Sequence, residues 1–191
     1  FGMDTAFMDP IARKDFLSAM NTVNSNVNDY TEELSRLTPE SRKYNRKQKQ
    51  IEKWMKLKAD FDYICSPDSP MNTYTSNPAN LGENADIAAK DNGFTVTNYN
   101  EETNEILSNL IYVKSGRESS YVHENRHSRQ SPTMSTYERE VEAFQFQQIY
   151  NSRDVQELID NARINQYPDD RLAPPISTYG IEEMVKYRYG K

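Results

Sequence analysis

Cysteine, histidine and long apolar runs are all scarce in this chain, and each scarcity excludes something. One cysteine, Cys65, occurs in 191 residues, so no internal disulfide staples the fold and the redox compartment stays open. Cys65 ends the run Phe61-Asp62-Tyr63-Ile64-Cys65 with no histidine near it. A small core residue is expected there rather than a nucleophile, which wants a basic neighbour. No apolar run approaches the ~18 residues needed to cross a bilayer, so no membrane span is expected. The first residues lack a basic start followed by an apolar stretch, so the chain is expected to carry no signal peptide of its own. It opens on Phe1 rather than methionine, which fits a piece of a larger protein that is exported or delivered with the rest.

Positive charge is also in deficit. The net charge of -6 argues against nucleic acid as the main partner, because phosphate binding wants a basic surface. Residues 41–58 run against that average: Arg42, Lys43, Arg46, Lys47, Lys49, Lys53, Lys56 and Lys58 stand against Glu52 alone. A solvated helix face or a docking surface for an acidic partner would each account for them.

The N-terminal third reads as helical. Phe16, Met20, Val23, Val27, Tyr30, Leu34 and Leu37 recur at steps of four and three, which places one apolar stripe on one helix face. Thr38-Pro39 predicts a helix restart, and the basic helix that follows should bury Tyr44, Ile51, Trp54 and Met55. Residues 66–93 are punctuated by Pro67, Pro70, Pro78 and Gly82 and read as loop-rich. Short strands are expected at 71–75, 94–97 and 110–113, then helices at about 118–130 and 136–151, with a capping box from Ser135 and Glu138. Ser152 should cap a third helix with Val155, Leu158, Ile159 and Ala162 inward; a short helix over 179–188 would close the chain. The expected organisation is a helical N-terminal region, 1–62, and a catalytic region, 63–191, together one compact α+β domain.

The chain has two histidines, and both lie in His123-Glu124-Asn125-Arg126-His127. In a helix, residues four apart share a face, so both imidazoles reach one metal ion. Glu124 is rotated by about 100 degrees from His123, beside the metal rather than on it. There it can take a proton from water that bound zinc has acidified. Zinc in a hydrolytic site wants three protein ligands and an open position. With no third histidine, the third ligand should be a carboxylate from the next helix: Glu138, Glu140 or Glu142. If Tyr137, Val141, Phe144 and Gln148 face inward, Glu140 lies about 60 degrees from the stripe centre, and Glu138 and Glu142 roughly 100 to 140 degrees. Glu140 is therefore best placed. Oxyanion stabilisation must come from Tyr or Arg, with Tyr121, Tyr167 and Tyr179 as candidates; Arg126 points off the ligand face.

HExxH followed on a downstream helix by ExxA, here Glu140-Val141-Glu142-Ala143, resembles the gluzincin-type metallopeptidases. The resemblance spans Tyr121 to Gln147. It implies a zincin-like fold, a Zn2+ ion held by His123, His127 and Glu140, Glu124 as general base, and a protein or peptide substrate. Phe144 stands where one large membrane-bound branch has Asp, which sets this chain apart from that branch. Phe1-Gly2-Met3-Asp4 resembles the end of the Asp-Pro-x-Gly-Met junction that closes the Rhs-repeat core of bacterial polymorphic toxins. That likeness implies a toxin or effector domain and a cognate immunity protein. The rival expectation is an interaction module without catalysis, its metal structural or absent. A third is an effector whose basic helix docks an acidic partner or a membrane surface.

Overall fold

The computed structural model describes residues 5–88, 90–131, 133–151 and 185. Strand β1 (Thr5–Phe7) leads into α1 (Pro10–Ser35) and α2 (Arg42–Ile64). Strand β2 (Met71–Thr75), a 3-10 segment at Pro78–Asn84 and the short α3 (Ala85–Ala88) follow. Strands β3 (Gly93–Tyr99) and β4 (Ile106–Val113) then precede α4 (Glu118–His127) and α5 (Thr136–Asn151). The fold is α+β. Its sheet has the order β1-β2-β4-β3, with β1, β2 and β4 parallel and β3 antiparallel to β4 at the edge.

Asp9 sets the start of α1. One carboxylate oxygen accepts from Ala12 N at 2.8 Å as an N-cap, with Pro10 at the first helical position. The other accepts from Thr75 Oγ1 and Ser76 N at the end of β2. The expected stripe of α1 is the buried one: Phe16, Val23, Val27 and Tyr30 lie in the core. Burying a side chain such as Phe16 contributes about 2–3 kcal/mol. The restart of the hairpin differs from expectation. Ser41, not Thr38, caps α2 by accepting from Tyr44 N, and Pro39 sits in the connecting turn. Trp54 is buried as expected, but Met55, one residue on, is 46% exposed. Cys65 is half-buried against the core. Part of the basic segment is neutralised at home: Lys47 pairs with Glu33 and stacks on Tyr30, and Lys58 pairs with Asp62.

The sheet alternates. Ile111 and Val113 of β4 join Phe16, Phe61 and Tyr74 under the helices, whereas Tyr112 joins Leu81, Ala88 and Phe94 on the other face. A buried polar ladder crosses three strands: Asn109 donates to Asn72 at 2.9 Å and accepts from Thr97 at 2.9 Å.

The hairpin braces α4. Gly116, at φ +74, enters a turn that suits glycine, and its N–H donates to Asp15 at 2.8 Å. Glu118 accepts from Ser18 of α1 and Tyr150 of α5. Arg126 and Arg129 both donate to the buried Asp60 of α2, at 3.2 and 2.8 Å. The expected helix from Ser152, the tyrosines 167 and 179, Phe1–Asp4 and all of 179–188 but the helical, buried Val185 lie outside the described residues. Among the described residues no helix is long and apolar enough to cross a membrane.

Candidate metal centre

Helix α4 begins directly after β4 and carries His123 and His127 one turn apart, as their spacing requires. Their Nε2 atoms lie 3.0 Å apart. Helix α5 brings Glu140 opposite them, with Oε2 3.4 Å from His123 Nε2 and Oε1 3.4 Å from His127 Nε2. These three residues could hold a metal ion. Donors about 2.05 Å from a tetrahedral ion stand about 3.3 Å apart, close to the edges seen. Glu138 is not in this group: it closes the capping box with Ser135, accepting from Ser135 N and donating its own N–H to Ser135 Oγ. Glu142 is not in it either, being held by Arg126 and Gln130.

The inward face of α5 differs from the expected stripe. Ala143 and Tyr150 are its buried residues, and Glu140 and Gln147 line the cavity. Glu140 therefore lies within the inward face rather than beside it. Ala143, fully buried, lets α4 and α5 approach. Phe144 packs its ring edge-on against His123, centroids 4.5 Å apart, and so helps orient the imidazole.

Gln130 settles the tautomer of His127. Its amide nitrogen is committed as donor to Arg139 O and Glu142 Oε2, both at 2.9 Å. Its oxygen therefore faces His127 Nδ1, 2.8 Å away, and accepts from it. With Nδ1 protonated, Nε2 carries the lone pair a metal needs. A continuous chain of hydrogen bonds thus runs from Asp60 through Arg126, Glu142 and Gln130 to His127. Burial pushes the His127 pKa down to about 4, helped by the charges of His123 and Arg139 and opposed by Glu140 and Gln130. The ring is neutral at pH 7, as ligation requires.

Glu124 is not among the three donors. It is buried, with Oε2 accepting from Thr95 Oγ1 of β3 at 2.7 Å. The backbone of β3 passes so close that a Cβ at Gly93 would run into Glu124 Oε1 and stand 2.9 Å from its Cδ. Burial raises its pKa to about 7, against the pull of His123 and Thr95; Glu140 and Asp91 add to the rise. A carboxylate in that range exchanges protons at neutral pH.

Glu124 and the three donors line one cavity of about 400 Å3, with Gly93–Thr95, Thr97, Phe144 and Arg139 among its walls. Tyr121 is not there. It is fully buried, and its hydroxyl donates to Ala12 O beneath the hairpin, so its expected part in oxyanion stabilisation is withdrawn. Arg126 points off the ligand face, as expected, and pairs with Asp60 and Glu142. Gln130, Thr95, Gly93 and Arg139 were not foreseen, because no local pattern marks a residue whose role depends on a partner elsewhere in the chain. Comparison with protein-family models, curated proteins and solved structures finds no match to this chain in any of the three.

Proposed function

We propose that the chain is a zinc-dependent endopeptidase with a zincin-like fold of gluzincin type. The convergence of His123, His127 and Glu140 within one cavity, with the Glu124 carboxylate beside them, carries the reading. Two imidazoles and one carboxylate are a donor set that zinc takes in hydrolytic sites. Zinc held there would supply Lewis acidity and lower the pKa of water towards about 7.

The chain's own groups do the rest. Glu124, fixed by Thr95 and roofed by Gly93, takes the proton of the attacking water and passes it to the departing amine. Gln130 keeps His127 in the ligating tautomer. Strand β3 borders the cavity and, among the described residues, has one edge free of partners. An extended peptide can pair with such an edge and lay its bond across the site.

Metal content of the purified chain, measured by plasma mass spectrometry beside peptide cleavage, tests this. The parent should hold about one zinc per chain, as expected of a single three-ligand site. His127→Ala and Glu140→Gln should lose it. Glu124→Ala should keep zinc and lose cleavage. Cleavage persisting in Glu124→Ala would remove the base from the mechanism. A parent that takes up no zinc would favour the interaction module.

A further inference from the structure

Helix α4 and the turn after it carry two guanidinium groups, and both are consumed by carboxylates away from the cavity. Arg126 is bound by Asp60 and Glu142, and Arg129 by Asp60. Arg139 is different. It stands in the first turn of α5, one residue before Glu140, and lines the cavity. Its Nε is buried without a hydrogen-bond partner, and among the described residues no carboxylate pairs with its side chain. A buried donor left unmade costs about 1–3 kcal/mol, more where it is charged. An acceptor brought into the cavity by a ligand would meet a guanidinium that no carboxylate among the described residues neutralises.

The charges in the cavity say which acceptor. The two charges of a zinc ion held there would offset Glu140 and Glu124. Lys90 and Arg139 then remain, against Asp91 alone. An arriving group meets a surplus of positive charge around a planar fork of donors, which matches a carboxylate. Phe94 and Phe144 offer apolar wall.

We infer that Arg139 is a substrate-binding residue that receives a carboxylate of the peptide, so that the site selects substrates with an acidic group near the scissile bond. This rests on the peptidase reading. The carboxylate has two sources, an Asp or Glu side chain or the C-terminus of the peptide.

The test uses the full chain carrying Glu124→Gln and loaded with zinc, so that peptides bind uncut. Otherwise identical peptides with an internal Glu or Gln, and with a C-terminal acid or amide, are titrated by calorimetry. One of the two acidic forms should bind about tenfold tighter than its neutral twin; which pair responds identifies the source. Adding Arg139→Met should close that gap with zinc content unchanged, and Arg139→Lys should keep part of it. Equal binding of acidic and neutral peptides would overturn the inference. So would a gap that survives Arg139→Met, which would place the carboxylate on the metal or on Lys90. Arg139→Met made alone, on a chain that keeps Glu124, gives a further arm: lost turnover with no acidic preference would overturn the inference too, assigning Arg139 to the oxyanion instead. Should Arg139→Met fail to fold, the comparison in the parent and in Arg139→Lys decides. Failure of the peptidase reading shows separately, as a parent without zinc, and the same titrations then read the acidic preference on the metal-free chain.

Discussion

Replacing Gln130 by leucine should weaken zinc binding without touching a ligand. The buried amide makes three hydrogen bonds, to His127 Nδ1, Arg139 O and Glu142 Oε2, at 2.8 to 2.9 Å. Leucine has similar bulk and no acceptor. The Nδ1–H of His127 would then be stranded in a buried position, a cost of about 1–3 kcal/mol. His127 can escape it by moving the proton to Nε2, which closes that nitrogen to the metal. Either route charges the metal-bound state with the same sum, equivalent to about a 10- to 100-fold fall in affinity. Competition against a chromophoric chelator at pH 7 measures it directly. Long-range nitrogen–proton correlation on the metal-free chain reads the tautomer itself, which a merely structural defect would leave alone. Unchanged affinity with His127 still protonated on Nδ1 would refute the assignment of Gln130.

Gly93→Ala should keep its zinc yet cut slowly. The new Cβ displaces the Glu124 carboxylate, and a misplacement of about 1 Å can cost about a hundredfold in kcat. Asp60→Ala removes the buried carboxylate that Arg126 and Arg129 share, leaving Arg126 with Glu142 alone, and should lower stability by about 2–3 kcal/mol in urea unfolding. In chelator, Glu124→Gln should melt above the parent at pH 8. The raised folded pKa of Glu124 means that its contribution is present below pH 4.5 and is lost as pH rises through about 7. That gap is worth up to about 3 kcal/mol at about 1.4 kcal/mol per pH unit. The advantage should vanish below pH 4.5, and no difference at either pH would show that Glu124 is not buried as described. His127 titrates with the opposite sign: its lowered pKa makes the metal-free chain lose stability as pH falls from about 6.5 to about 4. Glu124→Gln should leave that acid limb in place.

Local signals carried much of the architecture. Ser135 and Glu138 announce α5 because a capping box is made within four residues, and the stripe from Phe16 to Tyr30 announces α1 because it has one period. The two histidines and Glu124 are legible for the same reason. Signals failed where two local options compete. Thr38-Pro39 and Ser41 both offer a cap, and the choice went to the serine that follows Glu40, a residue at φ +62 in the turn. Strand β1 is three residues long, too short to show alternation, and exists because β2 is there to pair with it. On α5 the aromatic and aliphatic residues suggested one face, but close approach to α4 selected the smallest side chain, Ala143, and turned Glu140 inward with it. Tyr121 looked available by sequence, and only the position of the hairpin shows it to be covered.

The route from β1 to β2 has a consequence for how the molecule assembles. These strands are neighbours, yet helices of 26 and 23 residues intervene between them. The helical hairpin can form from contacts close in sequence, whereas β1 must wait until a long loop has been closed. Asp60, on the early-forming hairpin, is then in place before the first strand docks. With only three residues at the sheet edge, β1 should be the last strand to gain protection in pulse-labelling hydrogen exchange and the first to lose it on warming.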